Sequence, residues 1–339
     1  MTILDVFSTD PFTTVSLTAS INKMPYQPSR LGSMGLFRKR GIPSTTAVVE
    51  EKQGRLQLLK SQARGTMPQV TSGPQRKARS FTIPHVPLNA DVMADDVQGV
   101  RQFGSENAVE GVVQVVNDKL ENMRQSHEYT HEYHRAGAIQ GNVLDGDTTT
   151  TLYNWFTEFT ITETEVEFDF TDSSLDVKLK ALEVVRAIED ALGAAPYTRV
   201  HCMCGDTFFD DLISHASVKD AFARWQDGAF LREDQRKGFP FASVTWENYR
   251  GKVGTTPFIA DEVARFFPIG VPGLFDEIYG PADFVEAVNT VGKATYAKQE
   301  RIAFDKGIML HTQSNPLIMC TRPACLIKGV YPGSTSGSG

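Results

Sequence analysis

Val109, Val112, Val113, Val116, Leu120 and Met123 recur at i, i+3, i+4, i+7, i+11 and i+14, which places them in one stripe on an α-helix. Ser105 suits the N-cap and Glu106 the first turn. The pattern runs on through Tyr129 and Tyr133 to Gly137 or Gly141, predicting a helix over residues 105–140. A helix of about 30 residues is roughly 45 Å long, well beyond the usual globular helix. Such a length predicts a structural spine.

Strand patterns surround it. Residues 45–49 are β-branched or small, Gln53-Gly54 offers a turn and residues 55–59 continue beyond, predicting a hairpin within 44–62. Residues 65–79 are polar and basic, punctuated by Pro68, Gly73 and Pro74, so the whole excursion needs another surface to lie on. Residues 81–88 are extended, and Pro84 and Pro87 predict an edge or irregular segment. Asp145-Gly146, set between Val143-Leu144 and a β-branched run ending at Leu152, predicts a tight hairpin. Val166, Phe168 and Phe170 alternate with Glu165, Glu167 and Asp169, a strand with one buried face.

After residue 173 the texture changes. Ser174 reads as the cap of a helix bearing Leu175, Leu179, Leu182, Val185 and Ile188 and closed by Gly193. A strand at 197–203 follows, then short helices from Asp206 and Ser217 anchored by Phe209, Leu212, Ile213, Phe222 and Trp225. This order predicts an α/β subdomain. Strands at 241–249, 264–269, 307–314 and 324–330 complete the chain, and the Gly/Ser/Thr run 333–339 predicts a flexible tail. Residues 1–43 carry Pro11, Pro25, Pro28 and Pro43 with Gly32, Gly35 and Gly41, and their apolar positions show no sustained period. They read as an extended arm that needs a partner surface.

Charge adds one fact to this pattern. The net −7 of the 339 residues divides into +8 over residues 1–85 and −15 over the rest. The basic quarter suits either nucleic acid or an acidic neighbouring copy. Its few aromatics give no support to base stacking. Composition is that of a soluble globular chain, no window approaches a membrane span, and residues 1–7 do not read as a signal peptide. The cysteines, Cys202-x-Cys204 and Cys320-x4-Cys325, lack the usual zinc spacing and read as reduced core thiols.

One catalytic signature is present. His127-Glu128-Tyr129-Thr130-His131 matches H-E-x-x-H, in which two histidines one turn apart bind Zn²⁺ and the glutamate activates water. Glu158 or Glu163 are candidates for a third ligand, and a zinc metallohydrolase is the alternative function from another class. The stretch 121–135 is almost wholly polar, however, whereas a catalytic zinc helix needs apolar walls. The histidines at i, i+4 and i+7 therefore read as facing solvent or a neighbouring subunit, where they would serve pH-sensitive contacts. The acidic pairs at 95–96 and 210–211 read as helix-start residues. No phosphate-binding glycine loop, dinucleotide fingerprint or nucleophile elbow occurs, so no catalytic, cofactor or metal residue is assigned.

The order of parts (arm, basic loop, spine helix, hairpin, α/β subdomain, returning strands) resembles the lambda-type major capsid protein of tailed phages, the phage major capsid protein E family. Four stretches carry the likeness. Ile83-Pro84-His85-Val86-Pro87 leads into Ala94-Asp95-Asp96-Val97-Gln98-Gly99-Val100-Arg101. Glu132-Tyr133-His134-Arg135-Ala136-Gly137-Ala138-Ile139-Gln140-Gly141 precedes Val143-Leu144-Asp145. Phe284-Val285-Glu286-Ala287-Val288-Asn289-Thr290 is the third, and Gln313-Ser314-Asn315-Pro316-Leu317 with Arg322-Pro323 the fourth.

The resemblance implies an α+β fold, the tailed-phage major capsid fold that is shared with encapsulins and the herpesvirus capsid floor. Its parts would be an N-terminal arm (1–43), an extended loop (44–84), a peripheral domain (85–172), an axial domain (173–306) and returning strands with a tail (307–339). It implies copies that form hexamers and pentamers and close an icosahedral shell around double-stranded DNA. Expected partners are a scaffold, a portal and a decoration protein, with assembly in the host cytoplasm and no membrane or cofactor. An encapsulin-like compartment is the alternative within the fold. On this reading the basic loop residues Lys52, Arg55, Lys60, Arg64, Arg76, Lys77 and Arg79 would lie across an acidic neighbour.

Overall fold

The computed structural model describes residues 13–23, 29–53, 75–97, 108–223 and 238–331. The chain begins with helix α1 (Thr14–Lys23), the single turn α2 (Arg30–Ser33) and strand β1 (Phe37–Gly41). Within residues 14–41 of the expected arm, the described chain is therefore helical and paired rather than extended. Leu17, Ile21, Leu31 and Phe37 are buried against the chain's own body. Leu17 and Ile21 lie one turn apart, enough to dock a short helix but too brief to register as a sustained period.

Strands β2 (Thr46–Gln53) and β3 (Gln75–Thr82) pair in antiparallel register from Thr46↔Thr82 to Gln53↔Gln75. The basic excursion is thus a ribbon in which 75–82 partners β2, while the expected second strand, 55–59, lies outside the described residues. Gln53 is still paired, with Gln75, and the connecting residues, with Gly54 and the expected turn, lie outside the described residues. Next come β4 (Val86–Met93), the turn α3 (Ala94–Val97) and the spine helix α4 (Ala108–Gln140). The spine's 33 residues match its expected course, while Ser105 lies outside the described residues. Gly141 stops the helix at φ 78°, a left-handed conformation that glycine adopts without a Cβ penalty.

Strands β5 (Asn142–Leu144) and β6 (Thr151–Asn154) then pair, followed by α5 (Trp155–Phe159), β7 (Thr164–Glu167) and α6 (Val177–Leu192). The β5–β6 connection is wider than the tight turn expected from Asp145-Gly146. Asp147 organises it by accepting from the backbone of Thr149 and Thr150 at 2.9 and 2.8 Å. The cap of α6 is Asp176 and not Ser174: its carboxylate accepts from the backbone N–H of Lys178 and Leu179 at 3.0 and 3.3 Å. That register leaves Leu179 63% exposed, outside the helix's buried face.

The remaining elements are β8 (Arg199–Cys204), α7 (Asp206–Ser214), α8 (Ala216–Ala223), β9 (Phe239–Phe241), β10 (Val244–Asn248), β11 (Lys252–Val253), β12 (Thr256–Pro257), β13 (Val263–Ile269), β14 (Phe275–Tyr279), β15 (Tyr296–Arg301), β16 (Gly307–Ser314), β17 (Pro316–Cys320) and β18 (Ile327–Val330). Trp225 and the tail 333–339 lie outside the described residues.

Three sheets organise these strands. A six-stranded sheet runs β7-β18-β13-β8-β10-β9, a three-stranded one β1-β14-β17, and another β15-β16-β4. The six-stranded sheet takes β7 and β18 from either side of the α/β segment, so the chain leaves this layer and returns to it. Its core joins Phe168, Phe208, Trp246 and Phe266, with ring centroids 5.2–6.1 Å apart, to Val184 and Ile188 of α6. All four cysteines are buried, in keeping with core thiols, and burial pushes the Cys202 and Cys320 thiols up. The sheet β15-β16-β4 packs Val92, Ala297, Ile308 and Leu310 against Leu17 and Ile21 of α1 and Val116, Leu120 and Met123 of the spine. β4 is an edge strand, as Pro84 and Pro87 require.

Candidate functional site

Two regions hold the residues singled out by sequence. The first is the ribbon β2–β3. Its base is anchored: Ala47 and Phe81 are buried, and the Phe81 ring meets Trp155 edge-on at 5.3 Å and Tyr153 at 5.7 Å. The Tyr153 hydroxyl donates to the Thr82 carbonyl at 2.6 Å. Arg79 works within its own chain, with its guanidinium 5.1 Å from the Phe159 centroid and Nη1 donating to the Glu158 carbonyl. Beyond it, Lys52 stands opposite Arg76 and Glu51 opposite Lys77 in the strand register. Arg55, Lys60 and Arg64 lie outside the described residues.

The second region is the C-terminal half of the spine. Its polar side chains are buried, contrary to the expectation of a solvated or interfacial stripe. His127, His131 and His134 are each 2% exposed or less, and residues 134–139 are buried all round. The reason is register. The inward stripe Val116, Leu120, Met123 continues at the same three- and four-residue spacing through His127, His131, His134 and Ala138. Composition along the helix changes at Met123, but the face that points inward does not.

Most of these buried polar groups have a partner on another element, whereas Nε2 of His134, Nδ1 of His131 and one carboxylate oxygen of Glu128 are buried without a hydrogen bond. Nε2 of His127 lies 3.0 Å from Thr312 Oγ1, and Nε2 of His131 lies 2.8 Å from Ser314 Oγ. The Ser314 hydroxyl donates its proton to the Ala294 carbonyl at 2.6 Å, so it accepts from His131. The two nitrogens that a zinc site would use are therefore turned onto strand β16. Glu128 lies beside His131 and Arg135, each at 3.8 Å. Burial raises its carboxyl, and these neighbours more than offset that, holding it below its ordinary value. Among the described residues no three His, Cys, Asp or Glu side chains converge as metal ligands.

The centre of the region is Arg135, fully buried, with Nη2 and Nε donating to the Glu277 carboxylate of β14 at 2.8 and 3.1 Å. Burial raises Glu277 too, but the hydrogen bonds and charge of Arg135 hold it below the usual carboxylate range. Glu132 lies 3.6 Å from Arg135 and accepts from the backbone N–H of Leu31 and Gly32 at 2.7 and 3.2 Å and from the Tyr249 hydroxyl at 3.0 Å. Arg30 then donates to Glu247 of β10, whose carboxylate also lies 3.1 Å from His201 of β8. This chain of ionic contacts ties the N-terminal turn, the spine, β14 and the six-stranded sheet together. A cleft of about 380 Å³ beside it is lined by Arg30, Glu132, Glu247 and Tyr249, which are already paired. In the sequence Glu132 and Arg135 enter only as part of a family-like stretch, and neither they nor Glu277 receive a role, because they match no chemistry-bearing motif. The signal that finds Arg135 is its place four residues beyond His131 on the inward face.

The geometry is that of a brace, with His127, His131, Glu132 and Arg135 spent on holding layers together. A family model described as phage major capsid protein E matches residues 13–331. The chain belongs to this family. Its relatives include the major capsid protein of Pseudomonas phage KPP10, 27% identical over 87% of this chain and 90% of that protein. The major capsid protein of Salmonella phage Felix O1 is 26% identical over 93% and 95%. Among solved structures, the capsid of a native GTA particle aligns with a TM-score of 0.53 at 10% identity over 91% of this chain and 92% of that one. The capsid of cyanophage P-SCSP1u gives 0.51 at 12% over 92% and 91%. The α+β architecture is thus the tailed-phage major capsid fold, and the chain is a structural subunit of a phage capsid shell.

Proposed function

We propose that copies of this chain assemble as hexamers and pentamers that close an icosahedral shell around double-stranded DNA, and that the β2–β3 ribbon lies across an acidic neighbouring copy. The observation that carries this reading is the ribbon itself: anchored at its base, a two-stranded sheet of β2 and β3 among the described residues, and set in a basic quarter of +8 against a remainder of −15. Opposite net potentials steer copies together and fix their register. Because Arg79 is engaged at the base, the reaching set is Lys52, Arg55, Lys60, Arg64, Arg76 and Lys77.

In this reading the chain performs no catalytic step, since His127 and His131 act as struts. The peripheral part, 85–172, is built on the spine and β4, and the axial part, 173–306, on α6, α7 and the β8, β9, β10 and β13 strands of the six-stranded sheet, with β16, β17 and β18 as the returning strands. The acidic remainder suits a container for DNA, because a lining that bound DNA tightly would hinder packing and release. A scaffold, a portal and a decoration protein are the partners expected during assembly in the host cytoplasm. The test is charge reversal. A chain carrying K60E, R64E, R76E and K77E should fold as the parent does by circular dichroism, yet form no regular shells at physiological salt. Normal shells from it would refute the ribbon contact.

A further inference from the structure

Phe304, at the tip of the β15–β16 hairpin, is 91% exposed, the most exposed large apolar side chain among the described residues. The backbone that presents it is unusual. Phe304 and the following Asp305 both adopt left-handed conformations, with φ of 64° and 54°. Neither is a glycine, and two such residues in succession persist only where their surroundings impose them.

Those surroundings are rigid. Ile302 N–H donates to the Gly307 carbonyl at 3.0 Å, Asp305 N–H to the Ile302 carbonyl at 3.1 Å, and Ala94 N–H to the Lys306 carbonyl at 3.0 Å. Gly307 sits so close to β4 that a Cβ there would lie 2.3 Å from the Val92 carbonyl oxygen. The ring is therefore held in solvent by a clamped, strained turn, with the Lys306 ammonium 5.9 Å from its centroid.

A second apolar feature lies at the other end of the same strand. Val285, Val288 and Val291, just before β15, are 87%, 61% and 61% exposed. Their loop is also pinned. Gln313 donates to Asp283 at 2.6 Å, Asn315 to the Pro281 carbonyl at 2.7 Å, and Lys298 to Glu286 at 3.0 Å. Its polar groups are used inward while its valines point outward, the reverse of an ordinary surface loop. With β15 six residues long, the two features are separated by roughly 20 Å at about 3.3 Å per residue.

We infer that Phe304 of one copy seats on the Val285/Val288/Val291 patch of a second copy, in a head-to-tail contact along the β15–β16 unit. The inference rests on the chain being a shell subunit. Two different patches on one chain that fit each other form a heterologous interface, the kind that closes into rings. Charge does not oppose it: Glu286 is paired with Lys298, and Asp305 and Lys306 beside the ring sum to zero. Area explains why the contact belongs to an assembly. A phenylalanine buries about 150–250 Å², against roughly 800 Å² per partner in a stable pairwise complex. The knob is an anchor within a larger contact and cannot hold an isolated dimer by itself.

The experiment compares F304S and F304C/V288C with the parent chain under conditions in which the parent forms shells. F304S should keep the parent's melting transition, because the side chain touches little in the monomer, and should give at least tenfold fewer closed particles by electron microscopy. Under mild oxidation F304C/V288C should give a ladder of disulfide-linked multimers, and neither single cysteine variant should do so. Shells from F304S as numerous and stable as the parent's would overturn the inference. So would crosslinking by F304C alone, which would set Phe304 against Phe304. A parent chain that never forms shells would instead overturn the shell reading, and this inference with it.

Discussion

Replacing Arg135 with methionine keeps most of the side chain's volume and removes its guanidinium. Arg135 and Glu277 are both fully buried, and two hydrogen bonds at 2.8 and 3.1 Å join them. In R135M, Glu277 retains the Tyr279 hydroxyl as donor, while Glu128 and Glu132 also lose the cation lying 3.8 and 3.6 Å away. Removing one partner of a buried pair costs about 3–5 kcal/mol, because the other charge stays buried without compensation. Folded domains are stable by only about 5–15 kcal/mol. At about 1.4 kcal/mol per factor of ten, the unfolded fraction should rise roughly 150- to 4,000-fold. Urea unfolding of the unassembled chain, followed by fluorescence of the buried Trp155 and Trp246, reads this loss. R135M/E277Q should recover part of it, since the second change removes the stranded charge and leaves an acceptor for Tyr279. A loss below about 1 kcal/mol for R135M, typical of an exposed site, would refute the reasoning. A double variant no better than R135M would do the same.

Further outcomes follow from the same brace. Burial holds His127 and His134 neutral, each pulled down to about 4 from an ordinary 6.5. Glu128, His131 and His311 face His127, and His131, Asp145 and Arg135 face His134. The unfolded chain takes up these protons first as pH falls. The contribution to stability is therefore whole above pH 6.5, declines between 6.5 and 4, and loses nothing further below 4, at about 3 kcal/mol per histidine. H127N/H134N should flatten the stability curve over that window, and an unchanged curve would contradict the burial. E132Q weakens the charged acceptor of the Leu31 and Gly32 amides, so the opening free energy of residues 29–33 should fall by about 1.5–3 kcal/mol per lost charge-assisted bond. Hydrogen exchange across 29–33 measures it, and undiminished protection would count against the latch.

What the sequence made legible was periodic. The spine, β16, α7 and the edge character of β4 followed from spacing and proline placement, because each spans enough residues for a period to show. The failures share a cause. α1 has only Leu17 and Ile21 as its apolar contacts and otherwise docks through Thr18 and Asn22 onto the backbone at 295–297, β1 hydrogen-bonds to β14 some 240 residues later, and β2 finds its partner across a long excursion. Long-range pairing leaves no local period. The histidines of the spine were misplaced for a different reason. A buried polar residue satisfied by Thr312, Ser314 or Glu277 looks the same in sequence as a solvated one, and only the helical register distinguishes them. The H-E-x-x-H match thus records two struts one turn apart, a spacing that suits neighbouring contacts on one strand as well as it suits a metal.

The central claim, that this chain builds a capsid shell, is tested most directly by electron microscopy of the purified chain, produced alone or together with the genes that flank its own. Closed, hollow particles of uniform size are the predicted result. Monomers or irregular aggregates under every condition would contradict it.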